Sequence, residues 1–241
     1  MTTDVVRPAR PWFTTFYAAA IALFIFYGFS HTVGGALLHS ERAPPPILYV
    51  HVLLSSLWLV LFVTQTALVG ARHTRLHRRL GPWGVGLGVA LVGVGLATVI
   101  VMRQRAIAEH GANVRAIAFL SIPLFGSLMS FAVPFLAAAA LRKRRDWHRP
   151  LMLIATTSMT TAAQVRIPWL DGSPFPFLIP MITVGLMILA ATQDGISRRR
   201  LAPAWLVGIL GWILIQASAV YLLVAAPKPW VDAAGFILRT F

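Results

Sequence analysis

An all-helical membrane bundle is the fold class this sequence predicts, and three observations carry the prediction. Seven apolar stretches, each long enough to cross a bilayer, fill most of the 241 residues. The chain is 58% hydrophobic and 12% charged, with a mean hydropathy of +0.75, which is more apolar surface than one soluble core can bury. Basic residues gather on alternate loops, the pattern that orients a polytopic protein.

The spans are expected at about 13–38, 47–69, 82–102, 116–140, 150–168, 176–193 and 203–225. Each approaches the roughly 20 residues that a helix needs to cross about 30 Å of hydrocarbon, the fifth and sixth only just. The first is followed by His39-Ser40-Glu41-Arg42 and not by a small-residue cleavage site, so no cleavable signal peptide is expected. The third is rich in glycine, with Gly81, Gly84, Gly86, Gly88, Gly93 and Gly95. Gly84 and Gly88 form a GxxxG pair, read as close helix packing ahead of a cofactor lying on bare backbone. The tail Pro227–Phe241, with Trp230, Phe236, Ile237, Leu238 and Phe241, is expected to lie along the outer interface. The connecting segments run to about fifteen residues at most, so chemistry is expected in or at the membrane and the whole chain is one transmembrane domain.

Fourteen of the 21 basic residues fall on the N-terminus and the loops after spans 2, 4 and 6: Arg7, Arg10, Arg72, Arg75, Arg78, Arg79, Arg142, Lys143, Arg144, Arg145, Arg149, Arg198, Arg199 and Arg200. The positive-inside rule then puts the N-terminus in the cytoplasm and the C-terminus outside. The net charge of +14 is therefore read as topology and as contact with anionic lipid headgroups. Nucleic acid is not an expected partner, because the basic loops carry no interleaved aromatics and no room for a folded reader. The lack of cysteine excludes thiolate metal sites, covalently attached haem, iron–sulfur clusters and disulfides.

The second span holds the sharpest local signal. His51, Ser55, Trp58, Phe62 and Gln65 recur at spacings of 4, 3, 4 and 3, which places all five on one helix face. His51 and Gln65 are fourteen residues apart, roughly 21 Å of helix rise. Such a stripe is costly against lipid and should face protein, water or a cofactor. The fifth span carries Thr156, Thr157, Ser158, Thr160, Thr161 and Gln164. Hydroxyls can bond carbonyls one turn back, but Gln164 has no such outlet and should point at something polar. With Arg166 close by, span 5 is expected beside span 2 around a shared pocket.

The seven carboxylates, Asp4, Glu41, Glu109, Asp146, Asp171, Asp194 and Asp232, all fall in loops or at span ends. Carboxylate-bridged metal pairs, paired acid–base catalysis and proton-coupled transport through a mid-membrane acid are disfavoured, which leaves histidine to bind metal or move protons. His31, His51 and Arg166 share an outer band roughly 10 Å deep. Gln65, His77 and His148 form a second group near the cytoplasmic boundary. Neutral imidazole is a common axial ligand of haem iron and arginine pairs with carboxylates such as propionates. The outer band suits a haem ligated by His51 with His31 as partner and Arg166 on a propionate, and His77 with His148 is the analogous inner pair. Trp58, Gln65 and Gln164 would line the cofactor region. The bland readings stand beside this one: a carbonyl bond for His31, and lipid or capping roles for His77 and His148. His39, His73 and His110 are expected to be solvated.

His51, Gln65, then His77-Arg78 followed by Leu80-Gly81, and later His148-Arg149, Met152 and Arg166, make an ordered pattern across about residues 47–168. In that order and spacing the chain resembles an uncharacterised family of bacterial multispanning membrane proteins, distantly similar to the two-haem cytochrome b superfamily. The resemblance implies a multi-pass protein of the bacterial inner membrane, with haem b as cofactor. It departs from that superfamily in placing His77 and His148 at the membrane boundary. The expected function is haem b binding with an electron-transfer role, quinone being the redox partner. Two other readings are a non-redox protein that binds or transports a lipid or apolar anion, and an accessory subunit of a larger membrane complex.

Overall fold

The computed structural model describes residues 12–33, 43–171, 174–175 and 177–240. The end of the first expected span (34–38), Arg7, Arg10 and His39 lie outside them. Among the described residues there is no β-strand, and six helices are long and apolar enough to cross a membrane. The helices are α1 (Phe13–Val33), α2 (Pro46–Gly70), α3 (Thr74–His110), α4 (Val114–Ala118), a π-helix (Ile122–Met129), α5 (Ser130–Ala140), α6 (Arg145–Ser158), α7 (Thr160–Gln164), α8 (Pro168–Asp171), α9 (Leu178–Arg198), α10 (Pro203–Val224) and α11 (Lys228–Thr240). α4, the π-helix and α5 together form one continuous candidate span, Val114–Ala140.

Three expected boundaries shift. α3 has 37 residues, about 55 Å of rise, well beyond a hydrocarbon core of about 30 Å. Its arginines mark where apolar surface ends, not where the helix ends. The helix stops only at Gly111, whose φ of +86° suits glycine. α9 likewise runs on past the expected residue 193 to Arg198. The fifth expected span is instead two helices, α6 and α7, broken at Met159. Around the break Ser158, Thr160 and Thr161 donate to carbonyls three residues back at 2.6–2.7 Å, and Met159 N–H bonds Thr156 O at 3.2 Å. Hydroxyls competing for the same carbonyls loosen the helical ladder there.

α6 and α7 are nevertheless the middle of the bundle. Leu153, Ile154, Ala155, Thr156, Thr157, Ser158, Thr160, Ala163 and Gln164 are buried. Around them stand α1, α5, α9 and α10, with α2 and α3 completing the wall. α1 crosses α7 so closely that a Cβ at Gly28 would lie 2.5 Å from Ala163 O. Tyr17 on α1 bonds both Thr157 of α6 (2.8 Å) and the Leu186 carbonyl of α9 (3.0 Å). Away from this core the helices turn exposed apolar side chains outward, among them Phe16, Leu23, Leu214 and Val224. That suits a lipid-facing rim.

The tail forms α11 and packs on the structure: Trp230 donates to Ala118 O (3.2 Å), and Gln104 to Leu238 O (2.9 Å). The glycines of α3 divide by face. Gly84 faces Leu61, Gly88 faces Phe135 and Gly95 faces Leu128 and His51, whereas Gly81, Gly86 and Gly93 face open space. A Cβ at Gly88 would come within 2.2 Å of the Phe135 ring. Gly88→Ala is expected to cost about 1–3 kcal/mol, the usual scale of overpacking, read as a lower thermal midpoint in detergent. Gly86→Ala should match or exceed the parent, because alanine is the better helix former and meets nothing there. Equal midpoints for the two variants would contradict this packing.

Candidate functional site

The polar stripe of α2 faces protein, as its spacing predicts. Trp58 is buried and donates to Thr156 Oγ1 of α6 at 3.3 Å. Its ring meets Phe131 and Phe135 edge-on at centroid distances of 5.1 and 5.2 Å and stacks with Phe62 at 6.4 Å. These four rings form an aromatic partition in the bundle. On one side of it, toward the N-terminal end of α2, lies His51; on the other lies Gln65. The two ends can be named by their chemistry. The basic end holds the α2–α3 and α5–α6 turns, and the far end holds the α1–α2 and α3–α4 connections.

At the basic end the fold joins Gln65, His77 and His148. His148 Nδ1 lies 2.9 Å from Ala138 O. A carbonyl only accepts, so Nδ1 carries the proton and the neutral ring keeps its lone pair on Nε2. Ala138 belongs to the last turn of α5, where carbonyls lack helical partners, so His148 also caps that helix. His77, in the first turn of α3, interacts electrostatically with His148 and lies against the Gln65 backbone. Its Nδ1 is buried with no hydrogen-bond partner, and the same is true of Gln65 Oε1. His77 Nδ1 and Gln65 Oε1 are thus buried with bonding capacity unspent, which buried polar atoms rarely show.

At the far end His51 and Arg166 come within electrostatic reach of each other. His51 packs on α3, where a Cβ added to Gly95 would lie 3.7 Å from its Cε1, and its Nδ1 is buried and unpartnered. Arg166, half-buried, donates to Ala162 O and lays its guanidinium 4.3 Å above the Phe29 ring. His31 sits apart. It is exposed in the last turn of α1, edge-on to Tyr27 at 4.9 Å, and among the described residues no hydrogen bond or ring contact joins it to His51. Gln164 is fully buried between the ends, donating to Thr160 (3.1 Å) and Thr183 (2.9 Å), with Oε1 unpartnered. His73 and His110 are exposed at the two ends of α3. Among the described residues no three histidines, cysteines or carboxylates cluster as a metal-binding group.

One centre escaped the sequence reading. Asp194, expected at a span end, is inside α9 and fully buried. Its Oδ1 is held by Arg149 of α6 and by Arg198 Nε at 2.8 Å, and its Oδ2 accepts from Trp205 Nε1 of α10 at 2.9 Å. Arg149 reaches on to Thr14 of α1 at 2.8 Å. Arg198 and Arg200 also grip Asp146 at 2.6 and 2.8 Å. The Arg149 of the His148-Arg149 pair is thereby committed to structure, while its neighbour His148 faces the histidine site. No protein family, curated protein or solved structure matches the chain. Asp194→Asn leaves Arg149 without a counter-charge and Arg198 with Asp146 alone, beside a fully buried position. Both arginines keep some exposure, so the expected loss is about 3 kcal/mol, the lower end for a broken buried pair. Chemical denaturation in detergent checks it, and a loss under about 1 kcal/mol would contradict the assignment.

Proposed function

We propose that this chain is a seven-span protein of a bacterial inner membrane that holds haem b between His77 and His148 at its inner, basic end and passes electrons. The observation that carries the reading is this histidine pair. Two imidazoles from different helices stand within electrostatic reach of each other, one with a buried free Nδ1 and the other with its tautomer set by a carbonyl so that Nε2 is free. A ring nitrogen fixed by a bond at its opposite nitrogen is the usual preparation of a histidine ligand. His77 and His148 would be the residues that hold the iron of haem b. Haem b held there supplies a one-electron couple. The chain's own residues do the rest: Ala138 O orients His148, and Gln65 Oε1 offers an acceptor to whatever is bound. The partition of Trp58, Phe62, Phe131 and Phe135 places apolar rings between the two ends. His51, named by its stripe as the first ligand, belongs in this reading to a separate far-end site.

A lipid-soluble quinone is the redox partner this reading favours, since the connections among the described residues are short. Anionic lipid headgroups are the other partners. A cleft of about 370 Å³ among Arg72, His73, Thr74, Arg75, Leu76 and Arg79 supports that assignment. The positive-inside rule supports an inner basic end, and the central position of α6 and α7 supports counting them together as a span.

Two measurements test the reading. The first is a visible spectrum of protein purified from haem-replete cells, before and after dithionite. A Soret band that sharpens on reduction, lost in His77→Ala and in His148→Ala but kept in His51→Ala, is the expected result, and a flat spectrum overturns haem binding. The second uses the natural absence of cysteine. Ala112→Cys and Lys228→Cys are expected to react with an impermeant maleimide on intact spheroplasts, and Lys143→Cys only after lysis. Labelling of Lys228→Cys only after lysis would show that α6 and α7 do not cross.

A further inference from the structure

The far-end pair His51 and Arg166 has no place in the inner haem site, and its chemistry is of a different kind. Arg166 stands on the segment just after α7, among the exposed apolar side chains Val165 and Trp169. Among the described residues it has no carboxylate partner, only the Ala162 carbonyl and the Phe29 ring. A half-buried guanidinium in an apolar setting is stable when an anion joins it, because neither a carbonyl nor a ring face neutralises the charge. Its five N–H donors form a planar fork matched to two oxygens of one carboxylate or phosphate. His51 stands within electrostatic reach and offers the second polar group, a buried nitrogen with nothing bound to it. On that side the imidazole faces Gly95 of α3, whose added Cβ would lie 3.7 Å from Cε1 and 3.9 Å from Nδ1. α1 and the turn after α7 thus meet where Phe29 lies under Arg166, α2 and α3 meet where His51 faces Gly95, and the two contacts stand within electrostatic reach of each other.

We infer that His51 and Arg166 form a far-end site for an oxyanion, the carboxylate or phosphate head of an amphiphile. Arg166 takes the two oxygens in a fork, and His51 donates a third hydrogen bond through its free nitrogen. Phe29 fixes the plane of the guanidinium by lying under it. Val165 and Trp169 border the head group with the apolar surface that a tail in the same leaflet would touch. A soluble oxyanion presents the same head without the tail, and the test separates the two sources.

The protein, in nanodiscs of neutral phosphatidylcholine, is titrated with oleate, with phosphatidylglycerol and with inorganic phosphate, and its thermal midpoint and bound ligand are measured. An increase with either amphiphile, weakened about ten- to hundredfold in Arg166→Gln, is expected, the scale of losing hydrogen bonds to a charged group. Arg115→Gln, a cation of the same end, should bind like the parent. His51→Gln tests the site independently if Arg166→Gln folds poorly, and should weaken the same ligand. A response to inorganic phosphate alone, abolished in Arg166→Gln, would keep the oxyanion site and move its source to solution. Absence of any response, or one unchanged in both variants, overturns the site. None of these readings uses the haem spectrum, so the two proposals fail separately.

Discussion

The buried carboxylate of Asp194 is the constraint on which the bundle's basic end depends. Two arginines and an indole N–H converge on it from α6, α9 itself and α10, and Arg149 carries the connection on to Thr14 of α1. Apolar packing in a bilayer has little orienting power, because lipid tails are as apolar as leucine. A buried charge is different, since every guanidinium that satisfies it has a defined place. Arg149 is adjacent in sequence to His148, so the bond that locks Arg149 to Asp194 also fixes how the first turn of α6 is rotated. That rotation presents His148 to the Ala138 carbonyl and to His77. Structure and candidate chemistry are carried by consecutive residues facing opposite partners.

The same division recurs across the molecule. Polar groups with their bonding used up lie in the middle and on the α9 side: Tyr17 with Thr157, Trp58 with Thr156 and Thr160 with Thr183. Polar groups with capacity left over lie mostly at the two ends of α2 and α3: His51 at one, Gln65 and His77 at the other. The aromatic partition separates them. Satisfied groups hold helices together, and unsatisfied ones are places where something else belongs.

Much of this was legible beforehand. The class of fold followed from apolar length, and α2 and α10 end within a residue of the expected bounds because Pro45-Pro46 and Pro203 start them cleanly. The 4, 3, 4, 3 spacing of α2 foretold which face turns inward, and Trp58 confirms it by its burial. What was hidden depended on partners distant in sequence. Asp194 looks like a loop acid because three arginines follow it closely, yet one turn of extra helix buries it. His31 shares a nominal depth with His51, but depth along a helix says nothing of its azimuth, and α1 turns His31 outward. The break at Met159 was prefigured by its run of hydroxyls, although composition alone could not tell loosening from ordinary packing.

Arg166 shows how the two levels complement each other. From sequence it was a cation near the end of a span, with a haem propionate as its expected partner, although a long side chain so placed can also reach outward to the interface. The structure instead lays it on Phe29 with His51 in electrostatic reach, and a snorkelled arginine has no need of either neighbour. A cation–π contact lowers the cost of burial without removing the charge. The remaining imbalance belongs to the site and not to the helix end. Asp194 and Arg166 are thus the same problem solved in two ways: at the basic end the chain supplies the counter-charge to its own arginines, and at the far end it leaves the counter-charge to a ligand.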